Sequence, residues 1–377
     1  MNQTGTAILP LHGGKAPQWL TRRMEGLAHE IISIMIDEYG TAKFLTRLSD
    51  PYWFQALGCV LAYDWHSSGV TTVVTGVLKA ALSSERHGVV VCGGKGRVSR
   101  RTPAELTFIG TKWGFSQETI DKLLYTSRMT AKVDNSAIQA GYALYHHTFF
   151  VTKTGQWAVI EQGLNCEKQS ARRYHWLGEK TKTFVEEPHS GIVGDQKCAE
   201  ALNMVAKQSA ATRRVSVDLV KESPKRLRGL IESVCRPKQQ TSLQSWLSGA
   251  SDTWGVAGAV LDMPRHINWD TLSRLYEFQP RNYEELLSVQ GVGPATVRGL
   301  ALVAELVYGE APCWEDPVRF SFAYGGKDGV PFPVERKAMD ESIEILRKAV
   351  EEAKIGERDK LRGLKNLRAL LPPRTNF

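Results

Sequence analysis

The chain has 377 residues, a net charge of +8 at neutral pH and a pI near 9.1. That balance favours an anionic partner, nucleic acid or a membrane surface, with a basic enzyme lacking any polymer partner as the plain alternative. At 42% hydrophobic and 23% charged residues the composition is that of a folded protein with a sizeable core, and no apolar run reaches the roughly 18 residues of a membrane span.

The length suits two or three domains. The opening MNQTGTAILPLHGGKAP has no basic region followed by an apolar run, so it does not read as a signal peptide. Cys59, Cys92, Cys166, Cys198, Cys235 and Cys313 are scattered, with no C-x-x-C pair. A zinc ribbon or iron–sulfur cluster therefore has no support, and free thiols in a reducing cytoplasm are the expectation.

Residues 18–39 have helical periodicity, with Trp19, Leu27, Ile31, Ile34 and Met35 on one face. A second apolar helix is expected over 54–62. The β-branched run 69–82 fits a helix or a strand equally. GVVVC, 88–92, reads as a short buried strand. Thr102-Pro103-Ala104-Glu105 reads as a capping box that starts a helix. Residues 145–151 and 156–161 flank Lys153-Thr154-Gly155 as a hairpin. Residues 198–235 read as one or two basic helices, and the polar stretch 236–249 as a boundary. The remainder reads as helical, ending in a charge-alternating stretch over 335–371 that fits one long helix. No internal repeat of 20–50 residues is seen.

This gives an α+β or α/β amino-terminal domain over residues 1–195, a basic helical connector over 196–240, and an all-α domain over 241–377. The sharpest signal lies in the last. Tyr283–Leu287 forms a short helix, Gly291-Val292-Gly293 a tight turn, and Pro294 opens a second helix. Two glycines permit backbone angles closed to other residues. Val292 between them points inward. The first amides of the second helix then face outward, where the helix dipole favours a phosphate oxygen. Ala295 lies in that first turn, and Thr296 and Arg298 are placed to add side-chain contacts.

The string LLSVQGVGPATVRGLALVA resembles the helix-hairpin-helix family, over about 25 residues. The resemblance implies sequence-independent binding of the DNA backbone; a glycine-closed turn with no ligand is the alternative. Some helix-hairpin-helix proteins are base-excision glycosylases with a catalytic Asp soon after the second helix. Asp316 occupies a comparable place, though a helix cap explains an Asp before Pro317 more simply. The lyase lysine of bifunctional members would fall near Ala295, so that chemistry is not expected.

PLHGGKAP, FQALGCVL, DWHSSG, AGYALYHH, AVIEQG and RRYHW spread over the rest of the chain. Through these blocks nearly the whole chain resembles an uncharacterised bacterial and archaeal family classed as a domain of unknown function. Membership implies little about activity, but it does imply that the blocks and the carboxy-terminal helices form one unit.

GGK at 13–15, at 93–95 within GGKG, and at 325–327 are weak phosphate-turn signals. Lys95 and Arg97 follow the GVVVC strand, where an anion-binding turn belongs. Arg172 and Arg173 interleave with aromatics in RRYHW, which suits phosphate contact and base stacking, or a packed strand end. Asp64, His66, Asp134, His147 and Glu161 are candidate ligands of a divalent Mg or Mn, and Asp64, His66, Asp134, Glu161 and Lys132 the candidate catalytic set. His146 and His147, adjacent on a strand, face opposite ways, so only one can enter a site. Separate core and surface networks are the competing account. The expectation is a cytoplasmic DNA-binding protein, a divalent-metal-dependent nuclease or repair enzyme. The alternatives are an architectural DNA binder and a glycosylase using Asp316.

Overall fold

The structure is a computed structural model that describes residues 18–61, 68–194, 197–235, 263–264, 266–318, 336–353 and 356–368. The span α1 (Gln18–Leu48) is two helical segments joined at a kink, because Gly40 takes a φ of 80° and a ψ of 167° and breaks the helix where the expected segment ends. Asp50 caps α2 (Pro51–Val60), accepting from the Tyr52 N–H at 2.8 Å, and Pro51 needs no donor there. The β-branched run is a helix, α3 (Gly69–Ala81). Val70, Val74, Val77, Leu78 and Ala81 recur at three- and four-residue steps and are buried, so tertiary burial overrides the strand propensity.

Strand β1 (Val89–Lys95) leads through a 3-10 turn, Gly96–Arg101, to α4 (Thr102–Lys112). The helix starts where expected but without a capping box. The Thr102 hydroxyl donates back to Ser99 O at 2.7 Å, and Glu105 accepts instead from Gly93 N and Lys79 Nζ, at 2.8 and 2.7 Å. Helix α5 (Gln117–Lys132) is capped by Ser116 and continues into a single π-helical turn, Val133–Ala137.

Strands β2 (Ile138–Gln139), β3 (Ala143–Thr152), β4 (Trp157–Asn165), β5 (Ser170–Leu177), β6 (Gly191–Gly194) and β7 (Leu202–Asn203) follow. Five form an antiparallel sheet in the order β1-β3-β4-β5-β6, and β2 pairs with β7. Helices α6 (Ala210–Lys221) and α7 (Pro224–Cys235) come next. Then come α8 (Trp269–Phe278), α9 (Tyr283–Ser288), α10 (Pro294–Tyr308), α11 (Arg336–Glu352) and α12 (Glu357–Arg368). The charged stretch at the end is thus two helices. The boundary expected over 236–249 lies outside the described residues.

The mixed α+β character expected from the sequence is what the chain adopts, and helices cover both faces of the sheet. Side chains alternate along each strand, so Phe150, Ala158, Ile160 and Leu177 join α1, α2, α3 and α11 in one apolar cluster. Phe149, Val151, Val159, Tyr174 and Trp176 face the other way and join a second. Leu272, Leu286, Leu287, Val297 and Leu300, from α8 to α10, belong to that second cluster. The carboxy-terminal helices therefore pack on the sheet layer.

One ion pair ties them to it. Arg172 on β5 donates to Asp316, just after α10, at 2.6 Å, and both side chains are fully buried. Asp316 also accepts from Cys198 N at 2.7 Å and Val318 N at 3.1 Å, and Arg172 lies 4.4 Å from the centroid of the Tyr142 ring. Removing one member of such a pair strands a buried charge. Asp316→Ala is expected to lower unfolding stability by about 3–5 kcal/mol, read from urea denaturation, with part of the loss recovered by adding Arg172→Met. A loss below about 1 kcal/mol, the range of exposed pairs, would refute this role.

Candidate functional site

The site is built around the π turn. Its wide backbone follows α5 without a break and carries Asp134 against the sheet, where the residue is wholly buried. Such turns are rare and collect at functional positions. Asp134 accepts from Trp176 Nε1 at 3.0 Å and from His189 Nε2 at 2.5 Å. Register places His147, Glu161 and Tyr174 side by side on this face.

Burial, and then the charge of Asp134 and a hydrogen bond to it, raise the Glu161 carboxyl well above the ordinary range. Glu161 is therefore held in its protonated form, and its Oε2 has no hydrogen-bond partner among the described residues. Burial pushes His147 down to about 4, so its ring is neutral. His147 is engaged at both ring nitrogens. Ser127 Oγ donates to His147 Nε2 at 2.9 Å, and His147 Nδ1 donates to Glu161 Oε1. Asp134 is engaged at both oxygens, by Trp176 and His189. Thr130 lies 3.4 Å from Glu161 Oε1.

Asp134, His147 and Glu161 thus converge, as a nuclease-like cluster requires, but Asp134 and His147 are each already engaged at both of their polar atoms. Among the described residues no group of three His, Cys, Asp or Glu side chains is disposed to hold a metal ion. Asp64 and His66 lie outside the described residues.

Lys132 does not join the carboxylates. Its ammonium reaches the turn between α9 and α10, donating to Val289 O at 2.7 Å and Val292 O at 2.9 Å. Burial and the nearby Arg128 charge lower it to about 8. Gln139 Nε2 donates to Pro294 O at 2.9 Å beside it. Val292 points inward and is buried. Gly291 has a φ of 95°, and a Cβ there would collide with Thr271 Oγ1 and sit 2.7 Å from Arg274 Nη2. Pro294 and Gly291 are exposed and Gly293 and Ala295 partly so, whereas Thr296 is buried and offers no side chain to solvent. Arg298 is half-buried, 5.3 Å from the centroid of the Trp314 ring.

Arg172 and Arg173 are not surface residues either. Every residue of β5 is buried, because helices cover both faces of this inner strand. Arg173 Nε donates to His175 Nε2 at 2.8 Å, and its guanidinium lies 4.6 Å from the centroid of the Phe54 ring. Burial lowers it to about 9. Next to it, Gln162 donates to Ser68 O at 2.8 Å and Tyr145 Oη at 2.5 Å and accepts from Thr71, while His146 meets Thr75 Oγ1 at 3.0 Å. His146 and His147 do face opposite ways. Lys95 and Arg97, by contrast, are exposed with Arg100 and Arg101 along the 3-10 turn. Lys95 pairs in register with His146, which sets this basic turn at the histidine end of β3.

The matched blocks extend over this entire arrangement. The chain belongs to the family described as protein of unknown function DUF763. The match covers residues 5–334, so the DUF763 region includes the sheet, the π turn and both helices around Gly291. No curated protein and no solved structure matches the chain.

Ser127 and His189 complete the buried row without having been singled out from the sequence, and Trp176 was read there only as one of the RRYHW aromatics. Ser127 is one polar residue on an amphipathic helix, and His189 sits in a loop, so neither carries a spacing signal.

The protonation scheme has two measurable consequences. Glu161→Gln keeps the oxygen that accepts from His147 and is as neutral as the protonated acid, and is expected to change stability by less than about 1.5 kcal/mol, the net worth of one hydrogen bond. Asp134→Ala, which orphans Trp176 Nε1 and His189, is expected to cost more than that in the same urea titration. His147, depressed to about 4 from an ordinary 6.5, contributes stability that is complete above pH 6.5 and lost as pH falls towards 4. His147→Asn should therefore reduce the pH slope of stability in that window by about one proton. An unchanged slope would contradict a neutral His147.

Proposed function

We propose that this protein binds DNA through the sugar–phosphate backbone, with the segment 283–308 acting as a helix-hairpin-helix module. The observation that carries the reading is Lys132. An ammonium has three donors, and two are held by hairpin carbonyls. The third is left for a phosphate oxygen arriving at the amino-terminal amides of α10, where the helix dipole adds to the attraction. The exposed Lys95, Arg97, Arg100 and Arg101 supply a second cationic contact, on the 3-10 turn that follows β1. Both contacts address phosphate and neither reads a base, so the binding is sequence-independent.

The reading stops at binding: Asp134 and His147 are engaged in the buried row, and Asp64 and His66 lie outside the described residues. Asp316 has both oxygens engaged, which favours its structural role over glycosylase chemistry.

Fluorescence anisotropy with a labelled duplex tests the proposal. Binding should weaken steeply with salt, and Gly291→Val should reduce affinity about tenfold or more by distorting the hairpin. Lys132 titrates near 8 in the free protein, so affinity should also fall as pH rises from 7 to 9. That fall should disappear in Lys132→Arg, whose charge persists. Absence of duplex binding at low salt would overturn the proposal, as would a Gly291→Val protein that binds like wild type.

A further inference from the structure

His189 is held by Asp134 at one nitrogen and open at the other. Its side chain is 6% exposed, and Nε2 donates to Asp134 Oδ1 at 2.5 Å. That bond fixes the tautomer and leaves Nδ1 as a bare acceptor, and Nδ1 has no hydrogen-bond partner among the described residues. Packing sets the ring as well, since its centroid lies 4.2 Å from that of Trp176. The histidine lines a pocket of about 120 Å³.

The pocket's size and lining restrict what it can hold. Its volume is close to that of cavities of about 150 Å³ that take a single benzene ring, and well below the range of about 300–1,000 Å³ for drug-sized ligands. Asn203, Gln208, Glu187 and Glu315 line it with His189, and no lysine or arginine does. Lys207 pairs with Glu187 at 3.4 Å but is not part of the lining. A phosphate would meet carboxylates with no compensating cation. A planar polar ring carrying N–H donors would meet acceptors on several sides.

The pocket is also tied to the hairpin. Lys132, which holds Val289 and Val292, immediately precedes the π turn that carries Asp134, and Asp134 holds His189. One short piece of backbone thus positions both the proposed phosphate contact and the open imidazole nitrogen.

We infer that this pocket receives an unpaired nucleobase of the bound DNA, with His189 Nδ1 accepting a hydrogen bond from a base N–H. The inference rests on the DNA-binding reading above and adds a substrate class to it: DNA with a base already free of its partner. Cytosine fits best, being a single ring with an exocyclic amino donor facing a lining of acceptors. A base that is already unpaired avoids most of the cost of leaving the stack.

The test measures anisotropy of the full chain with three labelled duplexes of one sequence: fully paired, with one bulged cytosine, and with one bulged abasic residue. The cytosine bulge should bind about five- to tenfold more tightly than either of the others, the worth of one or two net hydrogen bonds. His189→Ala should remove the preference. Gln208→Trp, at an exposed position on the rim, should remove it by filling the pocket without touching the buried row. Equal binding to the cytosine and abasic bulges would overturn the pocket assignment while leaving the backbone reading intact, and so would a preference that survives Gln208→Trp. Failure to bind any of the three would sink both.

Discussion

Two carboxyl groups, Glu161 and Asp134, buried near each other in a place water does not reach, are the constraint on which this molecule is organised. They cannot both ionise there, so one stays protonated. That choice forces the rest. Asp134 takes the Trp176 and His189 N–H groups, and Glu161 meets the neutral His147 that Ser127 completes. Buried polar groups this well satisfied fix a particular packing, since any shift would strand a donor or a charge. The sheet and α5 are locked together at this point, and the π turn is the irregularity that brings Asp134 into range.

The same turn links the row to the hairpin. Lys132 belongs to the last turn of α5 and reaches across to two hairpin carbonyls. A flexible, strongly hydrated ammonium half-removed from water is held there by carbonyls alone, which explains its lowered affinity for a proton. Arg172 and Asp316 make the second tie between the carboxy-terminal helices and the sheet. Both ties join parts of the chain distant in sequence, so the hairpin is presented by the sheet layer as a fixed element.

Much of the architecture was legible in the residues. The hairpin over 283–308, the β3–β4 turn at Gly155 and the strand at β1 follow from apolar periodicity and from glycines at positive φ, which are local properties. The opposite facing of His146 and His147 follows from strand alternation. The α3 run was ambiguous because its β-branched residues suit a pleated surface and a buried helix face alike. Convergence of Asp134, His147 and Glu161 was anticipated by residue type, yet its chemistry was not. Carboxylates near a histidine look the same in sequence whether they await a metal or sit buried with one of them protonated.

The sequence by itself determined the α+β composition, the glycine-closed hairpin and the basic character that points to an anionic partner, because these depend on residue type and short spacing. Only the tertiary structure decided where charge goes. It put Arg172 and Arg173 inside a sheet covered on both faces, turned Lys132 from the carboxylates to the hairpin, and joined Ser127 and His189 to the buried row. Burial and partner geometry set the protonation of a side chain, and both arise from contacts between segments far apart in the chain.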